Sequence, residues 1–518
     1  MRIARLIGGL VAGLVALALA VVFFAYWLDF ATTTAEGAGG GTLAYVFLWL
    51  AFGANLLLWT VIGLLRLGED SVRSLTRGRG EAEPEHERIA EGAEPERVLV
   101  GAAPGGGSAV AGLGAEPGST DLLAPPGGGA PAEAVEPELR LAVIIPAHNE
   151  EPVIGGAIAS ALRLFERKDV YVVSDSSKDA TAEIAAGTGV NVLELLTNRG
   201  KAGALEAVID EFQLTENYDG VLILDADTEL DSGYVAGAKR QLRDPDVAAV
   251  AGFVVSEWKP RERSFIGRLI SAYRDRLYFM LQYLMRFGQT WKRTNTAFIV
   301  PGFASVYRSS ALREIEVNPK GLVIEDFNMT FELQRKRLGR ISLNPDTKAY
   351  SQDPFTLRDY YKQVGRWTLG FWQTIRRHGV WPGSFWLALA LYVVEVVLVS
   401  AVLLVTAAIG LFVLVGVVGG EAVLGWPYYG EGYTAVTALL PPMAILVGLF
   451  VPDYALTCVM AMVRRRPSYL VYGLFFFPVR LVDAYLSLRM IPRAWTASSD
   501  GRWSSPLRTA VRNRSVAV

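Results

Sequence analysis

Apolar runs too long for a globular core stand toward both ends of this chain, leaving only the middle free to build a water-facing domain. Residues 7–28 and 43–65 each exceed the roughly 20 apolar residues that cross a hydrocarbon core. Residues 385–418, 434–463 and 469–490 do so again. With 51% hydrophobic residues and a mean hydropathy of +0.29 over 518 residues, the chain reads as a multidomain membrane protein. A net charge of −2 gives no basic face for nucleic acid. The single cysteine, Cys458, excludes an internal disulfide and a cysteine-based metal cluster, and its apolar neighbours make it a small buried residue.

Charge sets the orientation. Arg2 and Arg5 precede the first run, residues 31–41 carry no Lys or Arg, and Arg66, Arg73, Arg77 and Arg79 follow the second. The positive-inside rule then places the amino terminus and everything after the second run in the cytoplasm of a multi-pass cell-membrane protein. The first run also has the basic start and small residues of a cleaved signal sequence, which would leave the second run to fix the same orientation. The expected organisation is two transmembrane helices over 1–67, a disordered Gly/Pro/Glu-rich linker over 68–138, a cytoplasmic domain over 139–380, about three further spans over 381–492, and a basic tail over 493–518. Pro441-Pro442 and Pro452-Asp453 are expected to break the second carboxyl-side run. Arg480 and Asp483 interrupt the third, as either a polar conduit or a helix-to-helix salt bridge.

Between the apolar blocks, short β-branched runs alternate with helical stretches, the pattern of a mostly parallel sheet covered by helices. Strands are expected at 141–145, 170–173, 190–193 and 221–224, and helices at 152–165, 178–187, 202–213 and 232–243. Ligands of such sheets sit beyond the carboxyl ends of the strands. The residues there are His148-Asn149-Glu150, Ser174-Asp175, Asn198-Arg199-Gly200-Lys201 and Asp225-Ala226-Asp227. An isolated Asp-x-Asp is usually an acidic turn. In this company the pair suits a divalent cation held against a diphosphate, with Lys201 neutralising phosphate and Asp175 accepting from a base or ribose. His148 reads as a loop residue rather than a ligand.

The ordered set Val143-Ile144-Ile145-Pro146-Ala147-His148-Asn149-Glu150-Glu151, Asp175, Lys201-Ala202-Gly203-Ala204-Leu205, Asp225-Ala226-Asp227, Glu325-Asp326 and Gln363-Val364-Gly365-Arg366-Trp367 resembles family 2 glycosyltransferases. It is most similar to their processive membrane branch, the cellulose, chitin, hyaluronan and poly-N-acetylglucosamine synthases. The resemblance implies a GT-A-like α/β nucleotide-sugar-binding domain, inserted between transmembrane helices. It implies an inverting enzyme that moves a sugar from a UDP-sugar to a growing polysaccharide, with N-acetylglucosamine the first expectation and glucose the second. Asp175, Lys201 and Asp225 would bind the nucleotide sugar, and Asp227 with Asp225 would hold Mg²⁺ or Mn²⁺. Asp326 would be the general base, supported by Glu325, while Arg366 would stabilise the leaving diphosphate. Gln363 and Trp367 would bind the acceptor. An inverting displacement needs one base and a stabilised leaving group, which this set supplies. Ser174, Ile324 and Asn328 depart from the usual acidic or Thr positions of these motifs.

Expected partners are the UDP-sugar, a polysaccharide or lipid acceptor, membrane lipids and an accessory export protein. Single-sugar transfer to a lipid and a noncatalytic transporter or scaffold are the alternatives. Residues 264–287 read as either an interfacial or a core-covering helix, with Arg268, Arg274, Asp275 and Arg276 on its surface. Pro301-Gly302-Phe303 resembles the loop under the acceptor in the family and is also an ordinary turn.

Overall fold

A computed structural model describes residues 53–77 and 138–498, with Ala25 and Asp29. The first expected span, most of the linker and most of the basic tail lie outside the described residues. The chain divides into two units, Met1–Gly68 with Leu139–Val518, and Glu69–Glu138. The first unit carries both sheets and the helices packed on them.

The four expected strands are present as β1 (Leu141–Ala147), β2 (Val170–Asp175), β3 (Asn191–Leu195) and β4 (Gly220–Leu224). Helices α1 (Ala54–Arg77), α2 (Ile154–Leu162), α3 (Thr181–Gly187), α4 (Gly200–Glu211) and α5 (Tyr234–Leu242) lie around and between them. Every residue of β1 is buried, as befits a strand covered on both faces. Its alternation divides the core: Ala142 and Ile144 join one apolar cluster, while Leu141, Val143 and Ile145 join the other. Pairing is parallel from β3 through β2 and β1 to β4, with Val143 between Val170 and Leu222.

The sheet continues through strands that were not expected: β6 (Val247–Val250), β8 (Ala304–Arg308) and β9 (Arg340–Ser342). The order is β3-β2-β1-β4-β8-β6-β9, with β8 antiparallel to its neighbours. A second sheet joins β5 (Thr228–Leu230), β10 (Lys348–Ser351) and β7 (Phe253–Ser256). The chain runs outward from β1 to β3 and then returns to β4 on the other side of β1. That reversal opens a crevice where the strand ends diverge, and Asp225 follows β4 directly into it.

Helix α6 (Phe265–Phe279) starts at Ser264, whose side chain accepts from the Gly267 amide, and runs on as a π-helix over Met280–Arg286. Leu269, Ile270, Ala272 and Tyr273 pack against Tyr360, Met460 and Tyr469, whereas Phe265 and Ile266 are exposed. Contrary to expectation, Arg274, Asp275 and Arg276 are buried, only 4%, 1% and 4% accessible. Each has a charged partner that makes this tolerable: Arg274 meets Asp353 at 3.0 Å, Asp275 meets Arg464 at 2.8 Å, and Arg276 meets Asp453 at 2.9 Å.

Helix α7 (Asp326–Lys336) lies between β8 and β9, and after the last strand follow α8 (Leu357–His378), α9 (Ser384–Gly419), α10 (Pro427–Leu439), α11 (Pro442–Val463), α12 (Ser468–Gly473) and α13 (Phe476–Thr496). Trp59 of α1, Phe331 of α7, Phe371 of α8, Leu389 of α9 and Leu486 of α13 share one apolar cluster. Among the described residues one helix, Ser384–Gly419, is long and apolar enough to cross a membrane. At about 1.5 Å per residue it extends roughly 54 Å. The helical path breaks at Pro441, but α11 continues through Pro452 rather than breaking there. Arg480 pairs with Asp453 at 2.9 Å, while Asp483 accepts from Tyr273 and Tyr360 at 2.7 Å each, so the two residues are anchored to different groups.

Candidate active site

The centre of the site is Lys201, in the first turn of α4. Its Nζ meets Asp225 Oδ1 at 2.7 Å, Glu325 Oε1 at 2.9 Å and the Gly302 carbonyl at 2.9 Å. Asp225 comes from the end of β4, Glu325 from the residue preceding α7, and Gly302 from the turn before β8. One ammonium thus ties three elements together, and its two carboxylate neighbours outweigh burial to hold its pKa above the ordinary range.

The turn before β8 fits under this cluster because residue 302 is glycine. A Cβ there would stand 3.1 Å from Lys201 Nζ and 3.3 Å from Asp326 Cβ. The Gly302 amide reaches Asp326 Oδ2 at 3.3 Å, and the Phe303 carbonyl accepts from the Asp225 amide at 2.8 Å. Pro301-Gly302-Phe303 is therefore both a turn and part of the site.

Asp326 opens α7, and its Oδ1 accepts from the Phe327 amide at 2.7 Å. Burial and the adjacent Glu325 carboxylate push its pKa up to about 7, against the opposing pull of Lys201. Burial also disfavours the charged form of Glu325, but Lys201 prevails and holds that carboxyl below its usual value. Asp225 is raised by burial and by Asp227, with Lys201 opposing. Two neighbouring acids are thus driven apart, one kept ionised and one poised near neutrality, the division of labour that proton transfer at pH 7 calls for.

These residues line one cavity of about 350 Å³ together with Asp227, Gln363, Arg366 and Trp367. Gln363, Arg366 and Trp367 recur at spacings of three and one on α8, which places them along one side of that helix. Asp175 is not part of this lining. It is fully buried, and its oxygens accept from the Arg199 and Gly200 amides at 2.7 and 2.8 Å, fixing the loop that delivers Lys201. Gly200 has φ of +75°, a backbone geometry that disfavours any side chain there.

Two nearby residues, the departure Asn328 and the loop residue His148, have structural roles. Asn328 is fully buried, donates to the Glu316 carbonyl and accepts from His378 Nε2, both at 2.8 Å, so it pins α7 to the end of α8. His148 holds the Asp175 carbonyl through Nδ1 at 2.6 Å, a structural role.

Sequence reasoning missed Arg274. It lines the cavity, lies 4.8 Å from the Trp367 ring centroid, and donates to Gln363 and Tyr278 while paired with Asp353. A signal was available: three successive charges inside an otherwise apolar helix require buried partners.

Asp225 and Asp227 suit a hard divalent cation. They supply carboxylate oxygens from one turn and line one cavity, leaving the remaining positions to phosphate oxygens and water, as Mg²⁺ and Mn²⁺ sites commonly do. Among the described residues there is no group of three or more His, Cys, Asp or Glu side chains that would cage a metal unaided.

Residues 220–451 match the model of glycosyl transferase family group 2. The match takes in both aspartates of the β4 turn, Glu325-Asp326 and the α8 set, and begins after Asp175 and Lys201. A poly-β-1,6-N-acetyl-D-glucosamine synthase of Staphylococcus aureus is 27% identical over 247 residues, covering 45% of this chain and 55% of the relative. Its Staphylococcus epidermidis counterpart is 24% identical over 265 residues, covering 49% and 59%. The chain thus spans little more than half the length of these curated relatives. A solved mannosyltransferase from Pyrobaculum calidifontis, determined with GDP-Man and Mn²⁺, overlays at 19% identity and a TM-score of 0.37, covering 61% of this chain and 88% of that one. The family match over residues 220–451, with relatives that are themselves synthases, supports a family 2 glycosyltransferase.

Proposed function

We propose that this protein is an inverting, GT-A-like membrane glycosyltransferase that extends a polysaccharide with sugar taken from a UDP-sugar. The observation that carries the reading is the pairing of Asp326, poised near pH 7, with an ionised Glu325 in a cavity that also holds Asp225, Asp227, Arg366 and Trp367. Its relatives' names point to N-acetylglucosamine as the sugar.

In this mechanism Asp326 accepts the proton of the acceptor hydroxyl as that oxygen attacks the anomeric carbon. Its pKa near 7 leaves it partly ionised at neutral pH yet basic enough to take a proton. Glu325, kept charged by Lys201, maintains that poise. Lys201 and Arg366 supply positive charge near the nucleotide diphosphate as it departs. Asp225 and Asp227 would hold the divalent cation, which when bound neutralises the diphosphate. Trp367 offers a flat face to the terminal sugar of the acceptor, and Gln363 offers an amide. The cavity is also lined by Tyr392 of α9 and Ser487 of α13, so product grown at Asp326 has the apolar helices beside it. The Ser384–Gly419 helix would anchor the enzyme in the bilayer, with its catalytic domain on the cytoplasmic side.

Purified protein in detergent, given radiolabelled UDP-N-acetylglucosamine or UDP-glucose with Mg²⁺ or Mn²⁺, tests the reading. High-molecular-mass product cleaved by a matching glycan hydrolase is expected. A single sugar on an organic-extractable lipid, or no turnover of any UDP-sugar, would overturn it.

A further inference from the structure

Four basic side chains line the cavity, and three have their needs met. Lys201 is held by Asp225, Glu325 and Gly302. Arg274 is held by Asp353 and Gln363, and Arg366 is exposed and keeps its water. Arg286 differs. It is partly buried, its Nε is buried with no hydrogen-bond partner, and no ion pair reaches it among the described residues. An unmet buried donor is costly, so a fold retains one where something else satisfies it.

The surroundings say what that is. Arg286 ends the π-helical segment Met280–Arg286, and Leu281, Met285 and Arg286 from this segment all line the cavity. Such segments recur where a helix must re-aim side chains at a ligand. Phe298, Phe371, Trp372 and Tyr392 line the same cavity, and Arg286 is close enough to interact electrostatically with Asp326 and Tyr392. Aromatic faces stack on sugar rings, and a planar guanidinium matches two adjacent oxygens.

Resting on the glycosyl transfer proposed for this site, we infer that Arg286 is an acceptor-binding residue whose guanidinium donates to oxygens of the saccharide presenting its hydroxyl to Asp326. The donor diphosphate would be met by Lys201, Arg366 and the cation that Asp225 and Asp227 would hold, which leaves Arg286 to the acceptor. The aromatic lining favours an uncharged saccharide over the phosphate of a lipid.

The test uses the full chain in detergent, with a β-1,6-linked N-acetylglucosamine tetramer as probe. In transfer assays Arg286→Gln should raise the KM for the tetramer about tenfold and leave the KM for the UDP-sugar within about twofold. Arg286→Lys, which keeps charge but loses the fork, should raise it about threefold to fivefold. Binding of the tetramer, followed by tryptophan fluorescence without donor, should weaken in the same order. Unchanged tetramer affinity in both variants, tetramer and UDP-sugar KM rising together, or binding of a polyprenyl phosphate in place of the tetramer would each overturn the proposal. If the wild type transfers no sugar, the enzymatic reading fails, and the binding measurement still decides the role of Arg286: no saturable binding to the wild type overturns it.

Discussion

Replacing Lys201 by Met removes the cation that lies 2.7 Å from Asp225 and 2.9 Å from Glu325. At an effective dielectric constant of about 20, a contact near 3 Å carries roughly 5 kcal/mol of direct attraction, much of it already offset by desolvation. Asp225 has a third of its side chain exposed, so solvent screens its share. Glu325 is only 9% exposed, and losing the partner of so buried a charge costs about 3–5 kcal/mol. Protonation relieves part of this. Asp326, already at about 7 because of burial and Glu325, also loses a cation that pulls it down, so its pKa rises. A rise of about one unit corresponds to roughly 1.4 kcal/mol, a modest fraction of the lost attraction. A base works in its ionised form, so activity climbs with pH through this pKa. The midpoint should move from about 7 to about 8, and the ionised fraction at pH 7 should fall from about a half to about a tenth. The assay is the initial rate of UDP release at saturating donor from about pH 5.5 to 9.5, with a thermal melt at each end. An unmoved midpoint, or an acid shift, would refute the reasoning.

Asp175→Asn should keep the side chain's size while weakening its hold on the Arg199 and Gly200 amides, raising the KM for UDP-sugar several-fold with little change in acceptor KM. Equal donor KM values would show that the Lys201 loop needs no such tie. Arg274→Gln leaves Asp353 buried without its cation. A loss of about 3–5 kcal/mol in stability is expected, with a raised acceptor KM that partly recovers when Asp353→Asn is added. Strictly additive effects would contradict the pairing. Removing divalent metal with a chelator should abolish transfer and weaken UDP binding, with Mn²⁺ or Mg²⁺ restoring both; full activity in chelator would exclude Asp225 and Asp227 as metal ligands.

The parallel half of the sheet was legible because β1, β2 and β4 are continuous apolar runs closed by polar residues at the ligand edge. The later strands were not. β5 and β9 have three residues each, too few to show alternation, and owe their form to partners about a hundred positions away. The site was readable as a set of motifs, and eight of its nine expected residues line one cavity. Asp175 was placed by chemistry at the correct strand end, yet its partners are backbone amides that no residue type announces. Arg274, Asp275 and Arg276 were misread as surface charges because their partners lie 79, 189 and 177 positions down the chain, at Asp353, Arg464 and Asp453. Periodicity reports which face of a helix is apolar, and here the apolar and the ion-paired faces are both covered.

The central claim is that one carboxylate, Asp326, takes the proton from the acceptor. Asp326→Asn keeps the shape and, through its one amide oxygen, the shorter contact with the Phe327 amide, giving up the longer one with Gly302 while removing the base. Transfer from labelled UDP-sugar by this variant, measured beside UDP binding by calorimetry, tests the claim most directly. Loss of transfer by at least about a hundredfold with UDP affinity unchanged is predicted; transfer near the wild-type rate would contradict it.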